Sequence, residues 1–169
     1  IGDQRFARIK HSKKDIVFAW TRKEFRNLSR AREAGVRVPE PLVNERNILL
    51  MEFIGKNGVA APLLREVEIE KPRKVFEKVV EYMKLLHQNA RLVHADLSEY
   101  NIMYYKDEPV FIDMGQSLLL DHPNSDTFLE RDARNIVKYF RKLGVKCSVE
   151  EVLRKIKKKQ ESPLRGKFY

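Results

Sequence analysis

Cysteine is nearly absent from this chain of 169 residues: Cys147 stands alone. No internal disulfide can form, which excludes a stapled secreted scaffold. No apolar run approaches the ~20 residues that span a bilayer, so no membrane partner is expected. No signal peptide opens the sequence. The seven glycines, at positions 2, 35, 55, 58, 115, 144 and 166, form no glycine-rich phosphate loop. Internal repeats and low-complexity linkers are missing as well. These absences describe a soluble, cytoplasmic chain. It opens on Ile1 rather than Met, which reads as a fragment of a longer protein.

Charge and apolar residues are plentiful. With 43% hydrophobic residues the chain can fill a core, and disorder throughout is excluded. The formal charge of +10 is unevenly spread. Residues 1–37 carry 11 basic and 4 acidic side chains, and residues 131–169 carry 13 and 4. The stretch between, 38–130, holds 10 basic and 16 acidic residues. Cationic ends around an acidic centre suggest a polyanion-facing periphery and a pocket able to hold metal ions.

Val17, Trp20, Glu24, Leu28 and Ala31 fall at helical spacing and Gly35 follows as a stop. Ile16, Val17 and Trp20 continue this face upstream, which favours one long helix over a start at a Thr21–Glu24 capping box. Glu24 then points inward, where an ionised carboxylate needs a partner. Val38-Pro39-Glu40-Pro41 breaks the helix. Leu42-Val43 and Ile48–Ile54 read as a β-hairpin, and Gly55, Gly58 and Pro62 mark a loop. A second helix is expected over Lys71–Ala90, its apolar face Phe76, Val79, Val80, Met83 and Leu86. Ile102–Tyr105 and Val110–Ile112 are strand-like, joined by a turn. A third helix is expected from about Asp126 to Leu143, and a fourth after the Ser148–Glu151 capping box. The tail from Pro163 to Tyr169 has no pattern.

The chemistry concentrates in Leu92-Val93-His94-Ala95-Asp96-Leu97-Ser98-Glu99-Tyr100-Asn101-Ile102 and Val110-Phe111-Ile112-Asp113-Met114-Gly115. A loop Asp, an Asn five residues on, and an Asp-x-Gly after a short hairpin recur in protein-kinase-like phosphotransferases. Asp96 can orient an attacking hydroxyl and take its proton. Asn101 offers a neutral oxygen and Asp113 an anionic one to Mg²⁺ on nucleotide phosphates. Gly115 is expected to permit the backbone turn that aims Asp113.

These stretches resemble the RIO family of atypical serine/threonine protein kinases, its first (type 1) subgroup. The likeness lies in Trp20-Thr21-x-Lys23-Glu24-Phe25-Arg26-Asn27-Leu28, Ala34-Gly35-Val36-x-Val38-Pro39-x-Pro41 and Leu50-Met51-Glu52-Phe53-Ile54-Gly55. It continues in His94–Met103, Phe111–Gln116, His122-Pro123 and Leu129-Glu130-Arg131-Asp132-x-Arg134-Asn135-Ile136. The resemblance covers nearly the whole chain, weakening after about Gly144. It implies an α+β, protein-kinase-like bilobal fold: residues 1–51 as the rear of the small lobe, 52–62 as the hinge, and 63–169 as a mainly helical large lobe.

The resemblance further implies ATP and Mg²⁺ (or Mn²⁺), with Asp96 catalytic and Asn101 and Asp113 as metal ligands. Asp113 would also accept the phosphoryl group, so that ATP hydrolysis rivals substrate phosphorylation. Glu24 would pair with a phosphate-binding lysine. Met51 would be the gatekeeper, Glu52 and Ile54 would meet the adenine, and Pro62 and Ile112 would wall the pocket. His94 and Asp132 would be structural supports, His94 by packing and Asp132 by accepting backbone N–H bonds. Ser12 is a candidate for autophosphorylation or a plain helix cap. The implied partners are the small ribosomal subunit precursor and its RNA.

The pattern also departs from conventional kinases. Ala95 and Ser98 replace an Arg and a Lys, which removes a cation from the transferring phosphate. Ten residues separate Gly115 from Asp126, leaving no room for a long activation loop. No strand bears a Val-Ala-x-Lys motif; Ala7-Arg8-Ile9-Lys10 mimics it weakly. The front of the small lobe is therefore expected to be absent and the chain inactive alone. Two rival readings stand beside this one: a catalytically silent RNA-binding module, and a small-molecule kinase of the aminoglycoside or choline type.

Overall fold

The computed structural model describes residues 13–158. It is α+β: four helices and four separate two-stranded antiparallel ladders. The first helix, α1 (Lys13–Glu33), is the long one, and Thr21 lies inside it, its hydroxyl donating to the Val17 carbonyl at 3.0 Å. Gly35 ends it at φ +87°, a conformation that suits glycine. The rear half buries Asn27, Leu28 and Ala31. The front half does not follow: Val17 and Trp20 are 48% and 59% exposed, so the apolar stripe runs on into solvent.

After the Pro39/Pro41 break, β1 (Pro41–Glu45) pairs with β2 (Ile48–Met51). The second strand stops at Met51, three residues before the sequence pattern does. Pro41 has no N–H to continue the ladder, and Glu52 instead donates to the Glu40 carbonyl at 2.8 Å before the chain turns away. Val43 lies opposite Leu50, and both are exposed, as is Ile48. The expected loop at 55–62 contains a second hairpin, β3 (Gly55–Lys56) and β4 (Val59–Ala60). Its turn is Asn57-Gly58 with both φ values positive, the pair that a tight hairpin favours.

The larger body is built on α2 (Pro72–Gln88), with proline in its first turn as expected. All five residues of the expected apolar face are buried, joined by Val75 and Tyr82. Against it lie α3 (Ser125–Lys142) and α4 (Val149–Lys157). The Ser148 capping box is present in both directions, Oγ to the Glu151 N–H and Oε2 to the Ser148 N–H, each at 3.2 Å. Phe76 and Phe140 meet edge to face at 5.4 Å in the centre.

Two small ladders cap this helical body. One joins β5 (Leu92–Val93) to β8 (Leu118–Leu119), a pairing too short for periodicity to show. The other joins β6 (Ile102–Tyr105) to β7 (Glu108–Phe111), close to the expected bounds. A single helical turn at Met114–Gln116 packs beneath α1 and ties the two bodies together. Among the described residues no helix is long and apolar enough to cross a membrane.

Phe140 has no solvent exposure and anchors α3 against α2. Phe140→Ala should cost about 3–5 kcal/mol, read as a lowered urea midpoint at unchanged slope.

Candidate active site

Three short segments converge where the bodies meet. The register of the β6–β7 ladder, Ile102 opposite Phe111, places Asn101 and Ile112 across from one another just beyond its end. The Ile112 N–H donates to the Asn101 carbonyl at 3.1 Å, so Asn101 and Asp113 flank the open end of one hairpin. The Asn101 amide nitrogen donates to the Asp96 carbonyl at 2.8 Å and to its carboxylate at 3.2 Å. This turns the amide oxygen away from Asp96. Both aspartates are exposed.

Asp113 is itself left-handed, at φ 61° and ψ 61°. The expected division of labour is therefore reversed: the unusual backbone falls on the aspartate, while Gly115 is not among the positive-φ residues. Asp tolerates this region better than most side chains, yet such strain persists only where surroundings impose it. Here the Met114 carbonyl accepts from the Asn27 side chain at 2.9 Å and from the Ser117 N–H at 3.2 Å. Asn27 is a buried α1 residue to which the sequence pattern assigned no role; its place one residue before Leu28 on the apolar face was the available signal.

Glu24 is half-buried on the same α1 face, as its spacing implied. Burial, and then the charge of Asp113, raise its carboxyl above the ordinary range. A Cβ added at Gly115 would lie 3.6 Å from Glu24 Oε2 and 3.8 Å from Asp113 Oδ1, so both carboxylates border this glycine. Two neighbouring acids fit a site for a cation. Asp113 and Asn101 suit Mg²⁺, which takes one or two protein oxygens and completes its shell with water and phosphate.

The catalytic-type loop is gripped from below by α3. Asp132, 1% exposed, accepts the Ala95 N–H at 2.8 Å and the Leu97 N–H at 2.9 Å. Arg131 donates to the Ala95 carbonyl, and Asn135 to the Leu97 carbonyl at 3.1 Å. Ala95 needs the grip, since it holds φ 68°, where an alanine costs roughly 1–2 kcal/mol. The sequence pointed to Asp132 alone; Arg131 and Asn135, four apart on one helix face, complete the clamp. His94 is buried, its Nε2–H donating to the Ile112 carbonyl at 3.0 Å, and burial lowers its pKa. The ring is thus tied to the backbone that leads into Asp113.

A cleft of about 330 Å³ opens between the bodies, lined by Glu24, Leu28, Pro39, Met51, Glu52, Phe53, Ile54, Ala60, Met103, Ile112 and Asp113. Met51, Glu52, Ile54 and Ile112 all line it. Pro62 does not: it is exposed, and its carbonyl accepts the Tyr104 N–H at 2.8 Å, while Ala60 takes the wall position. The lining holds three acidic residues and, among the described residues, neither Lys nor Arg. Ser12 and Lys10 lie outside the described residues.

The two-body arrangement is a protein-kinase-like fold. It is similar to that of the Rio2 kinase from Chaetomium thermophilum, with a TM-score of 0.72 at 23% identity, covering 92% of this chain and 52% of that one. A second structure of the fungal protein, an ADP/Mg²⁺-phosphoaspartate complex, gives a TM-score of 0.70 at 22% identity over 95% of this chain and 52% of that one. Residues 1–153 match the RIO domain, and the chain belongs to the RIO family. It is 50% identical to the RIO-type serine/threonine-protein kinase Rio1 of Haloferax volcanii, covering 85% of this chain and 49% of that protein. Against Rio1 of Methanocaldococcus jannaschii the identity is 41%, over 96% of this chain and 56% of that protein. The Thermoplasma acidophilum Rio1 is 40% identical over 94% of this chain and 83% of its own length. These relatives are of the type 1 branch. The chain spans about half the length of the first two.

Burial pushes the Asp132 carboxyl from 3.8 up to about 7, against the pull of the Leu97 and Ala95 N–H donors and Arg131. A raised folded value means that the native state binds this proton more tightly than the unfolded chain. The stabilisation is full below the unfolded value and lost as pH climbs through the folded one. The stability advantage of the wild type over Asp132→Asn should therefore shrink between pH 3.8 and about 7, followed by thermal unfolding across that range.

Proposed function

We propose that this chain carries the hinge, catalytic loop and metal-binding loop of an ATP/Mg²⁺-dependent RIO-type serine/threonine kinase or ATPase. The observation that carries this reading is the cleft. Its apolar walls end on one side at the Met51–Ile54 backbone and on the other at Asp113. That matches a flat adenine at one end and a phosphate chain at the other. The Glu52 N–H is committed to Glu40, and the Ile54 carbonyl accepts the Ala61 N–H at 2.9 Å. The adenine would be met by the opposite pair, the Glu52 carbonyl and the Ile54 N–H.

Asn101 and Asp113 would hold Mg²⁺, which when bound offsets the negative charge of the phosphates. Asp96 orients a hydroxyl nucleophile and takes its proton. The phosphoaspartate in the Chaetomium Rio2 complex supports a second route for Asp113. One of its carboxylate oxygens bonds to the γ-phosphorus as the bond to ADP breaks, and water later releases phosphate from the acyl phosphate. With no cation in the described cleft lining, this chain should turn over slowly by itself.

The division expected from the resemblance, 1–51 as the rear of a small lobe, 52–62 as the hinge and 63–169 as the large lobe, is proposed for the described residues, 13–158. The exposed apolar residues on α1 and on the β1–β2 hairpin support this division, because they mark a face that a further layer would cover. The basic flanks support a partner rich in phosphate, which the resemblance identifies as RNA of the small-subunit precursor, in the cytoplasm.

Calorimetric titration with ADP and Mn²⁺ tests the central reading. Wild-type chain should bind, and Asp113→Asn should bind the Mn²⁺–ADP pair more weakly and abolish phosphate release from ATP. A wild type that binds RNA but no nucleotide would establish the silent module instead.

A further inference from the structure

Glu52, a hinge residue lining the cleft, spends its side chain in an unexpected direction. Both carboxylate oxygens are engaged by Arg37 in two parallel bonds, Nη1 to Oε2 and Nη2 to Oε1, each at 2.7 Å. Oε2 also accepts the Glu40 N–H at 3.1 Å. Arg37 Nη1 donates further to the Val38 carbonyl at 3.0 Å. Paired forks of this kind fix orientation as well as distance. The pair is partly sheltered, with side-chain exposures of 26% and 34%, so solvent screens it less than a surface ion pair.

The backbone of Arg37 faces the other body. Its carbonyl accepts the Phe111 N–H at 2.9 Å. Phe111 is fully buried at the end of β7, one residue before the cleft wall Ile112 and two before Asp113. The field of Glu108, on the same strand, adds to that of Glu52 in holding the guanidinium charged. Glu108 in turn accepts the Tyr82 hydroxyl from α2. One residue thus links the hinge, through its side chain, to the strand that presents the metal loop, through its backbone.

We propose that Arg37 is a positioning residue that sets the separation between the hinge backbone and Asp113, so that both ends of one nucleotide are engaged together. This rests on the nucleotide reading of the cleft. A residue of this kind is needed more here than where a lysine grips the phosphates from above, because the described cleft lining supplies no cation of its own.

The test compares a ligand that spans the cleft with one that occupies only its metal end. Mn²⁺ alone and Mn²⁺ with ADP are titrated into wild type, Arg37→Ala, Arg37→Lys and Glu52→Gln. Arg37→Ala should lose about tenfold in affinity for ADP, equivalent to ~1.4 kcal/mol, while binding Mn²⁺ alone as the wild type does. Arg37→Lys keeps the charge but cannot make the parallel pair, and should resemble Arg37→Ala; it also serves if the alanine variant fails to fold. The Arg37→Ala/Glu52→Gln double variant should lose no more than the worse single one, as expected for members of one unit. Wild-type ADP affinity in Arg37→Lys, additive losses in the double variant, or equal loss of Mn²⁺ alone would each overturn the proposal. A wild type that binds no ADP overturns the nucleotide reading itself, a result distinct from those three.

Discussion

The buried carboxylate of Asp132 is the contact on which the rest of this site depends. Two N–H groups two residues apart point at one side chain, and between them lies Asp96. Without that side chain below, Ala95 has no reason to adopt a left-handed backbone, and Asp96 would not stand out of the loop. The hydrogen bonds from Asn101 to Asp96 carry the order onward to the β6–β7 hairpin, and the hairpin carries it to Asp113. The first step satisfies the buried N–H groups of Ala95 and Leu97, which would otherwise be costly to bury. The helical body beneath supplies the rigidity, since α3 is held by the Phe76–Phe140 contact and by the Tyr139 hydroxyl on the Leu64 carbonyl at 2.7 Å.

The two bodies are differently complete. The helical one has its core among α2, α3 and α4, and that core continues through Leu28, Ala31, Val36 and Val38 into the smaller body. The other consists of one long helix and a hairpin, each packed on one side only. Besides this shared apolar contact at the root of α1, its registry with the large body rests on directional bonds, from the Asn27 side chain to the Met114 carbonyl and from the Phe111 N–H to the Arg37 carbonyl. Directional bonds keep registry at small cost in buried area, which suits a cleft that has to admit a ligand between the bodies.

Much of this was legible in the residues. Helical spacing located α2 and its buried face, the Ser148 box located α4, and the Asp-x-x-x-x-Asn and Asp-x-Gly signals located the loop that matters. Glu24 was found as a carboxylate out of place in an apolar stripe. What escaped was set by contacts distant in sequence. Asn27 reaches a carbonyl 87 positions away, and Arg131 and Asn135 reach a loop nearly 40 residues earlier. The β5–β8 ladder is two residues long, below what any period can reveal. The front of α1 misled in the opposite sense. Its pattern is that of a buried face, but periodicity records which residues are alike, not whether anything covers them. The Asn57-Gly58 hairpin, by contrast, carried a local signal that a reading of the segment as loop passed over.

The exposed end of α1 has a spectroscopic consequence. Trp20 is the only tryptophan in the chain, and it sits on that uncovered stripe. Excited beyond the tyrosine absorption, the protein's emission therefore comes from a single exposed indole. It is blind to the packing of the helical body and responsive to whatever settles on this face. A shift of that emission toward shorter wavelength would mark the moment at which the stripe leaves water, with no label attached.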